Sequence, residues 1–275
     1  MRFRSLTLDQ LRIEDERSYR HIGLYEELKR ALVRDRVPFR VPAPGARPSW
    51  DRVLFLNLTF WSPDAPADVL EDDSIPADVV MHSAWHHLAR RAFNAAGGSP
   101  STSPESLFLG ESIASAFDLY LVGRLVGHSP DASFLETQVP AMAEVAEASG
   151  VSEEAFEKML EEIAAEPERA FEDLRQLLFD ASRALVRAGS VDDAALALEA
   201  FEGHRFGALL HHYELSNWIL YARAYAREVG GPDARAMEID AALRAAPVSL
   251  DWLEKNWVFA ESGGPAATDG REGSG

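Results

Sequence analysis

The chain contains no cysteine, which excludes a disulfide framework, a thiolate zinc site, an iron-sulfur cluster and a cysteine nucleophile. Any metal it holds must sit on histidine and carboxylate. No uninterrupted apolar run approaches the ~18 residues of a membrane span, and the opening "MRFRSLTLDQLRIEDERSYR" lacks an apolar core of signal-peptide length. Basic residues are scarce: 27 Lys and Arg stand against 45 Asp and Glu, a formal charge of -18 that repels phosphate backbones and anionic membrane surfaces. The expectation is a soluble, cytoplasmic chain with neither nucleic acid nor membrane as partner. A Walker A loop, a GxGxxG turn after a strand, a GxSxG elbow and an EF-hand loop are all missing, which disfavours nucleotide hydrolysis and α/β-hydrolase chemistry.

What is present is globular. With 47% hydrophobic and 26% charged residues over 275 positions, one large core is the default. Ile22, Tyr25, Leu28, Leu32 and Val33 recur at helical spacing and predict a helix from about Ser18 to Arg34. The Pro-rich "VPFRVPAPGARPSW" cannot be regular helix and reads as an extended surface wrap. "RVLFLNLTFW", Arg52 to Trp61, is the clearest strand signal, followed by an acidic loop or broken strand from Asp64 to Pro76.

Helices are then expected at about Ala77 to Ala95 and Pro104 to Val126, the second started by Ser103 as cap with proline in the first turn. Further helices are expected at about Phe134 to Ala148, Ser152 to Ala165, Pro167 to Ala188, Val191 to Glu202, Arg205 to Glu228, Pro232 to Ala245 and Leu250 to Phe259. No fixed-period repeat is visible. The tail 261–275 has little apolar content and is expected to be disordered. The fold class is α+β and predominantly α-helical: one domain over residues 1–260, with a small N-terminal sheet and a helical C-terminal half. Its chemistry is expected within 53–125, and 131–260 is the helical remainder.

The chemistry starts at "MHSAWHH". His82 and His86 lie four apart, so a helix presents both imidazoles to one point, a bidentate clamp for a metal. Glu111 is a lone acid among Leu107, Phe108, Leu109, Ile113 and Phe117, and burying it as an ion costs several kcal/mol unless a cation receives it. A divalent metal on His82 and His86 would do so, with Arg124 or Arg90 as the ordinary alternative partner. Gly110, just before it, leaves room for a second helix to approach. His87 points away from the His82 and His86 face and reads as a hydrogen-bonding residue.

A helix with two histidines four apart and a following helix with a glutamate resembles the zincin superfamily, and within it the gluzincins. That resemblance implies a zincin-like fold and His82, His86 and Glu111 as metal ligands. Ser83, however, stands where the family's HExxH motif has its general base, and a serine hydroxyl cannot accept a proton at neutral pH. Two histidines and a carboxylate also form the facial triad of non-heme iron(II) oxygenases. "VLFLNLTF" and "VVMHSAWHHLA" are similar to the HExxH-type peptide hydroxylases that use 2-oxoglutarate. The resemblances imply Fe(II) or Zn, with 2-oxoglutarate as a candidate cosubstrate and a peptide or small-molecule substrate.

A second cluster lies in "EGHRFGALLHHYELSNWILYARAYA". On one continuous helix His204 and His211 share a face, and His211 and Glu214 can meet a common ligand. His204, His211, Tyr213 and Arg223 are candidate catalytic residues, and Arg205 a candidate anchor for a cosubstrate carboxylate. Trp218, Tyr221 and Tyr225 read as core first and pocket wall second. The leading expectation is a metal-dependent enzyme leaning towards oxygenation. The alternatives are a non-catalytic binding relative and a hydrolase in which Glu214 or Asp118 replaces the base.

Overall fold

The computed structural model describes residues 3–43, 68–94, 103–225 and 233–260. It is predominantly helical with two small two-stranded sheets near the N-terminus, the α+β class expected. The strand expected at Arg52 to Trp61 and the tail 261–275 lie outside the described residues.

The first sheet pairs β1 (Phe3–Thr7) antiparallel with β3 (Pro38–Pro42), Leu6 opposite Phe39. Alternation puts Phe39 and Val41 in the core, so "PFRVP" is not the expected surface wrap. Prolines bound this strand, where a missing N–H costs the ladder least. The second sheet pairs β2 (Arg12–Glu14) parallel with β4 (Ser74–Pro76), Ile13 opposite Ile75. Asp68 to Leu70 run beside β3: Arg40 N donates to Asp68 O at 2.7 Å and Leu70 N to Arg40 O at 2.9 Å.

The single helix expected at Ser18 to Arg34 is two. A short turn, α1 (Glu16–Tyr19), breaks before α2 (Gly23–Arg34), which buries Leu24, Tyr25, Leu28, Ala31 and Leu32 and leaves Val33 exposed. Next comes α3 (Ala77–Asn94), entered directly from β4, then α4 (Pro104–Val126). Ser103 caps α4, its Oγ accepting from Ser106 N at 3.0 Å. Among the described residues α4 is the one helix long and apolar enough to cross a membrane, and 94% of its most apolar window is buried inside the fold. It is the central element, packed most extensively on α7 (Pro167–Leu185) and next on α3.

Around it lie α5 (Ser133–Ala148), α6 (Glu153–Ala165) and α8 (Val191–Glu199). The long helix expected from Arg205 to Glu228 is not continuous. Gly207–Tyr213 forms a 3-10 helix, Glu214 turns left-handed at φ 48°, and α9 (Leu215–Tyr225) starts afresh. The chain ends with α10 (Ala234–Ala245) and α11 (Ser249–Leu253), which runs into a π turn over Glu254–Val258. Arg175 of α7 is fully buried and is neutralised by Glu172, at 2.7 Å, and by Asp240 of α10, at 2.8 Å. Such a pair fixes how two helices meet, because leaving either charge unpartnered costs about 3–5 kcal/mol.

Candidate metal centre

The two central helices position the site. On α3, His82 and His86 are one turn apart and face α4, which returns Glu111 and, two turns later on the same face, Asp118. Trp85 and Phe117, edge to face with centroids 5.3 Å apart, fill the gap between the helices on the apolar side. His82, His86 and Glu111 each bring one ligand atom within 4.8 Å of the other two. The Nε2 atoms of the two histidines are 3.0 Å apart. Metal–nitrogen bonds of about 2.1 Å place neighbouring ligand atoms roughly 3.0–3.4 Å apart, so this spacing suits a shared cation.

His82 is also held from behind: its Nδ1 lies 2.9 Å from Asp118 Oδ2. A carboxylate on Nδ1 fixes ring orientation and leaves Nε2 as the ligand atom, the usual outer support of a metal-binding histidine. His86 Nδ1 lies 3.2 Å from Glu111 Oε1, which brings the third member of the group to the second ring. His86 and Glu111 are buried and His82 is half-buried, and the three form a group that could hold a divalent metal.

Electrostatics point the same way. Burial disfavours a charged His82, but Asp118, Glu111 and Asp68 outweigh it and push the imidazole up to about 9. His86 moves the other way, driven well down by burial, by the charge on His82 and by Arg90. Burial pushes Glu111 up to about 8, with Asp68 and Asp118 adding to it and His82 opposing. Asp78, one turn before His82, is pushed up to about 6 by burial and by Asp118. Without a metal, one proton therefore sits between the two rings: His82 donates Nε2–H to neutral His86.

His82 and Glu111 line a cavity of about 910 Å³. Apolar walls come from Val69, Leu119, Val122 and Met142, and aromatic ones from Tyr213, Trp218 and Tyr221. Asp68, Glu111, Asp118 and Glu214 line it, and no Lys or Arg is among its described lining residues. Burial, with Asp118, holds the Tyr213 phenol protonated, so its hydroxyl is a donor.

The second cluster does not assemble as the continuous helix would have it. Tyr213 reaches the cavity, but His204, His211, Arg205 and Arg223 do not line it. His204 Nδ1 accepts from Phe206 N at 3.1 Å, and the Arg205 guanidinium pairs with Asp173 at 2.8 Å while lying over the Phe206 ring. Arg223 donates to the carbonyls of Val186 and Ala188, and His211 is exposed. The left-handed Glu214 ends the shared face on which a common ligand for His211 and Glu214 depended. Glu214 instead accepts from Asn217 Nδ2 at 2.6 Å.

Arg124 is no partner of Glu111 but lies 3.7 Å from Glu168. His87 turns away from the clamp and bonds Asp35 at 2.7 Å.

Of the second cluster's three histidines, His204, His211 and His212, the last lines the cavity, carried there by the 3-10 turn. One acidic cavity residue, Asp68, had no signal in the sequence. Its Oδ2 accepts a short hydrogen bond from Ser83 Oγ. Asp118 had a visible signal, seven residues after Glu111 on the same apolar helix, although as an alternative base rather than the partner of His82. No family model, curated protein or solved structure matches the chain.

Proposed function

We propose that this chain is a metal-dependent enzyme, with a divalent cation on His82, His86 and Glu111 and a peptide-like or small polar substrate in the adjoining cavity. The observation that carries the reading is the convergence of two Nε2 atoms at 3.0 Å with Glu111 beside them, His82 braced on Asp118, and His82 and Glu111 lining a roomy cavity. A structural metal site is usually closed rather than open to a cavity. A bound cation supplies Lewis acidity if it is zinc and access to dioxygen chemistry if it is ferrous iron.

The chain's own groups do the rest. Asp118 orients His82, the Tyr213 hydroxyl donates to a polar substrate, and Trp218, Tyr221 and Met142 exclude water. Zincin-like ligation is the arrangement this most resembles. Oxygenation remains the second reading, favoured by the donor set of two histidines and one carboxylate. Its 2-oxoglutarate form receives no guanidinium from the described walls, since Arg205 and Arg223 point elsewhere.

The test is elemental analysis of untagged protein, as purified and after separate zinc and anaerobic iron(II) loading. About one equivalent is expected, lost in the His82→Ala/His86→Ala variant while far-UV circular dichroism persists. No metal in any condition, or unchanged metal in the double variant, would defeat the assignment.

A further inference from the structure

We propose that Asp68 supplies the carboxylate that helix position 83 lacks, acting as proton acceptor in hydrolysis of an amide in the cavity. This rests on the metal reading above and assigns it a reaction class.

Three observations converge. Ser83 is buried at 4% exposure, lines the cavity beside His82, and gives its hydroxyl hydrogen to Asp68 Oδ2. That hydrogen bond brings the Asp68 carboxylate against position 83 of α3, the place where a carboxylate is missing. Asp68 is also firmly delivered. The hydrogen bonds from Arg40 N and Leu70 N clamp residues 68–70 to β3, and Val69 and Leu70 are buried. A group held on a paired segment keeps the placement that proton transfer requires. Finally, the other described carboxylates of the cavity are engaged elsewhere. Glu111 belongs to the ligand group, Asp118 is bonded to His82, and Glu214 is exposed and bonded to Asn217.

In the step assigned to it, a cavity water gives a proton to Asp68 as its oxygen bonds the amide carbonyl carbon. The C–N bond then breaks and the proton held on Asp68 passes to the departing nitrogen. Acid and amine result, with no change of oxidation state and no further reactant.

The experiment compares wild type, Asp68→Asn and Asp68→Ala/Ser83→Glu, each stripped of metal and reloaded with zinc. It reads zinc affinity, the affinity of the zinc-loaded protein for acetohydroxamate, and hydrolysis of a randomised peptide library followed by mass spectrometry. Asparagine can still accept from Ser83, so Asp68→Asn removes charge and little else. Its zinc Kd should stay within about threefold of wild type, while kcat falls roughly 10²–10⁴-fold at nearly constant KM. Acetohydroxamate, whose hydroxyl proton needs an acceptor, should bind at least about tenfold more weakly. The double variant, which moves the carboxylate onto α3, should recover much of both losses and decides the matter if Asp68→Asn does not fold.

Zinc binding with no peptide cleaved by wild type overturns the hydrolytic role and leaves the metal centre standing. Asp68→Asn equal to wild type in both readouts overturns the role of Asp68. Failure of wild type to bind zinc overturns the reading beneath them both.

Discussion

Two glycines of α4 should respond in opposite directions to one substitution. Replacing a helix-interior glycine by alanine gains about 0.5–1 kcal/mol, because alanine has less backbone freedom to lose on folding. At Gly110 the added Cβ would lie 3.5 Å from Ala89 Cβ, an ordinary contact, so the gain should be realised. The close helix approach expected there is not what the glycine provides. At Gly123 the added Cβ would meet Ile163 O at 2.7 Å, with Ile163 Cγ2 and Pro167 Cβ each at 3.1 Å. The first distance is untenable, and the offending atom is main chain of α6 that no rotamer can move. Overpacking of this kind costs about 1–3 kcal/mol. Because the clash is with main chain, the upper part of that range, about 2–3 kcal/mol, applies, and subtracting the propensity gain leaves Gly123→Ala less stable by about 1–2.5 kcal/mol. Urea unfolding followed by circular dichroism should move the midpoint up for Gly110→Ala and down for Gly123→Ala, with unchanged m-values. In heat the shifts should be roughly 2–4 °C per kcal/mol for a chain of this size. A Gly123→Ala variant as stable as wild type would refute the steric reasoning.

Asp118→Asn should weaken zinc binding about 10–100-fold without loss of helix, read by calorimetric titration, because His82 keeps its position but loses the anion behind it. Zinc affinity should rise about a hundredfold per pH unit below about pH 8, where both Glu111 and His82 must give up a proton, and about tenfold per unit from there to about pH 9; a flat profile would count against both as ligands. Asp35 accepts from Arg34, His87 and Arg91, and those bonds, Arg34 first, hold its carboxyl well below the usual range against the effect of burial. Its folded pKa is depressed, so its contribution is present above the unfolded value near 4 and is lost as pH falls through the folded one. Asp35→Asn should cost about 1.5–3 kcal/mol at pH 7, and its gap to wild type in urea titrations should begin to close below about pH 4.

How far such a site can be read from sequence depends on whether its partners are local. Ser103 and Pro104 announce the start of α4, and the histidine helix was legible from Val80, Ala84 and Leu88, all buried in α3. His82, His86 and Glu111 stood out because two share a helix face and the third is an acid in an apolar run. β1 did not, since Phe3–Thr7 is a strand only through its pairing with residues 38–42. The break at Glu214 was invisible for another reason: "HHYELSN" has no glycine or proline, and the left-handed turn is imposed on an ordinary residue. Asp68 acquires its place only through the backbone of Arg40 and the hydroxyl of Ser83, partners 28 and 15 residues away.

The same contacts explain why the centre is preformed. Asp68, Asp78, Glu111 and Asp118 crowd around His82 in a chain already at -18. Without a compensating positive charge, burying such carboxylates costs several kcal/mol each. The proton on His82 supplies that charge, satisfying Asp118 through Nδ1 and His86 through Nε2. A divalent cation between the two Nε2 atoms would bring charge of the same sign to the same place. Meanwhile α3 and α4 are joined by Trp85, Phe117, Ala89 and their apolar neighbours, contacts that need no metal. Proton and cation thus compete for a position whose scaffold is built by the hydrophobic core, which separates this centre from small domains that fold only around their metal.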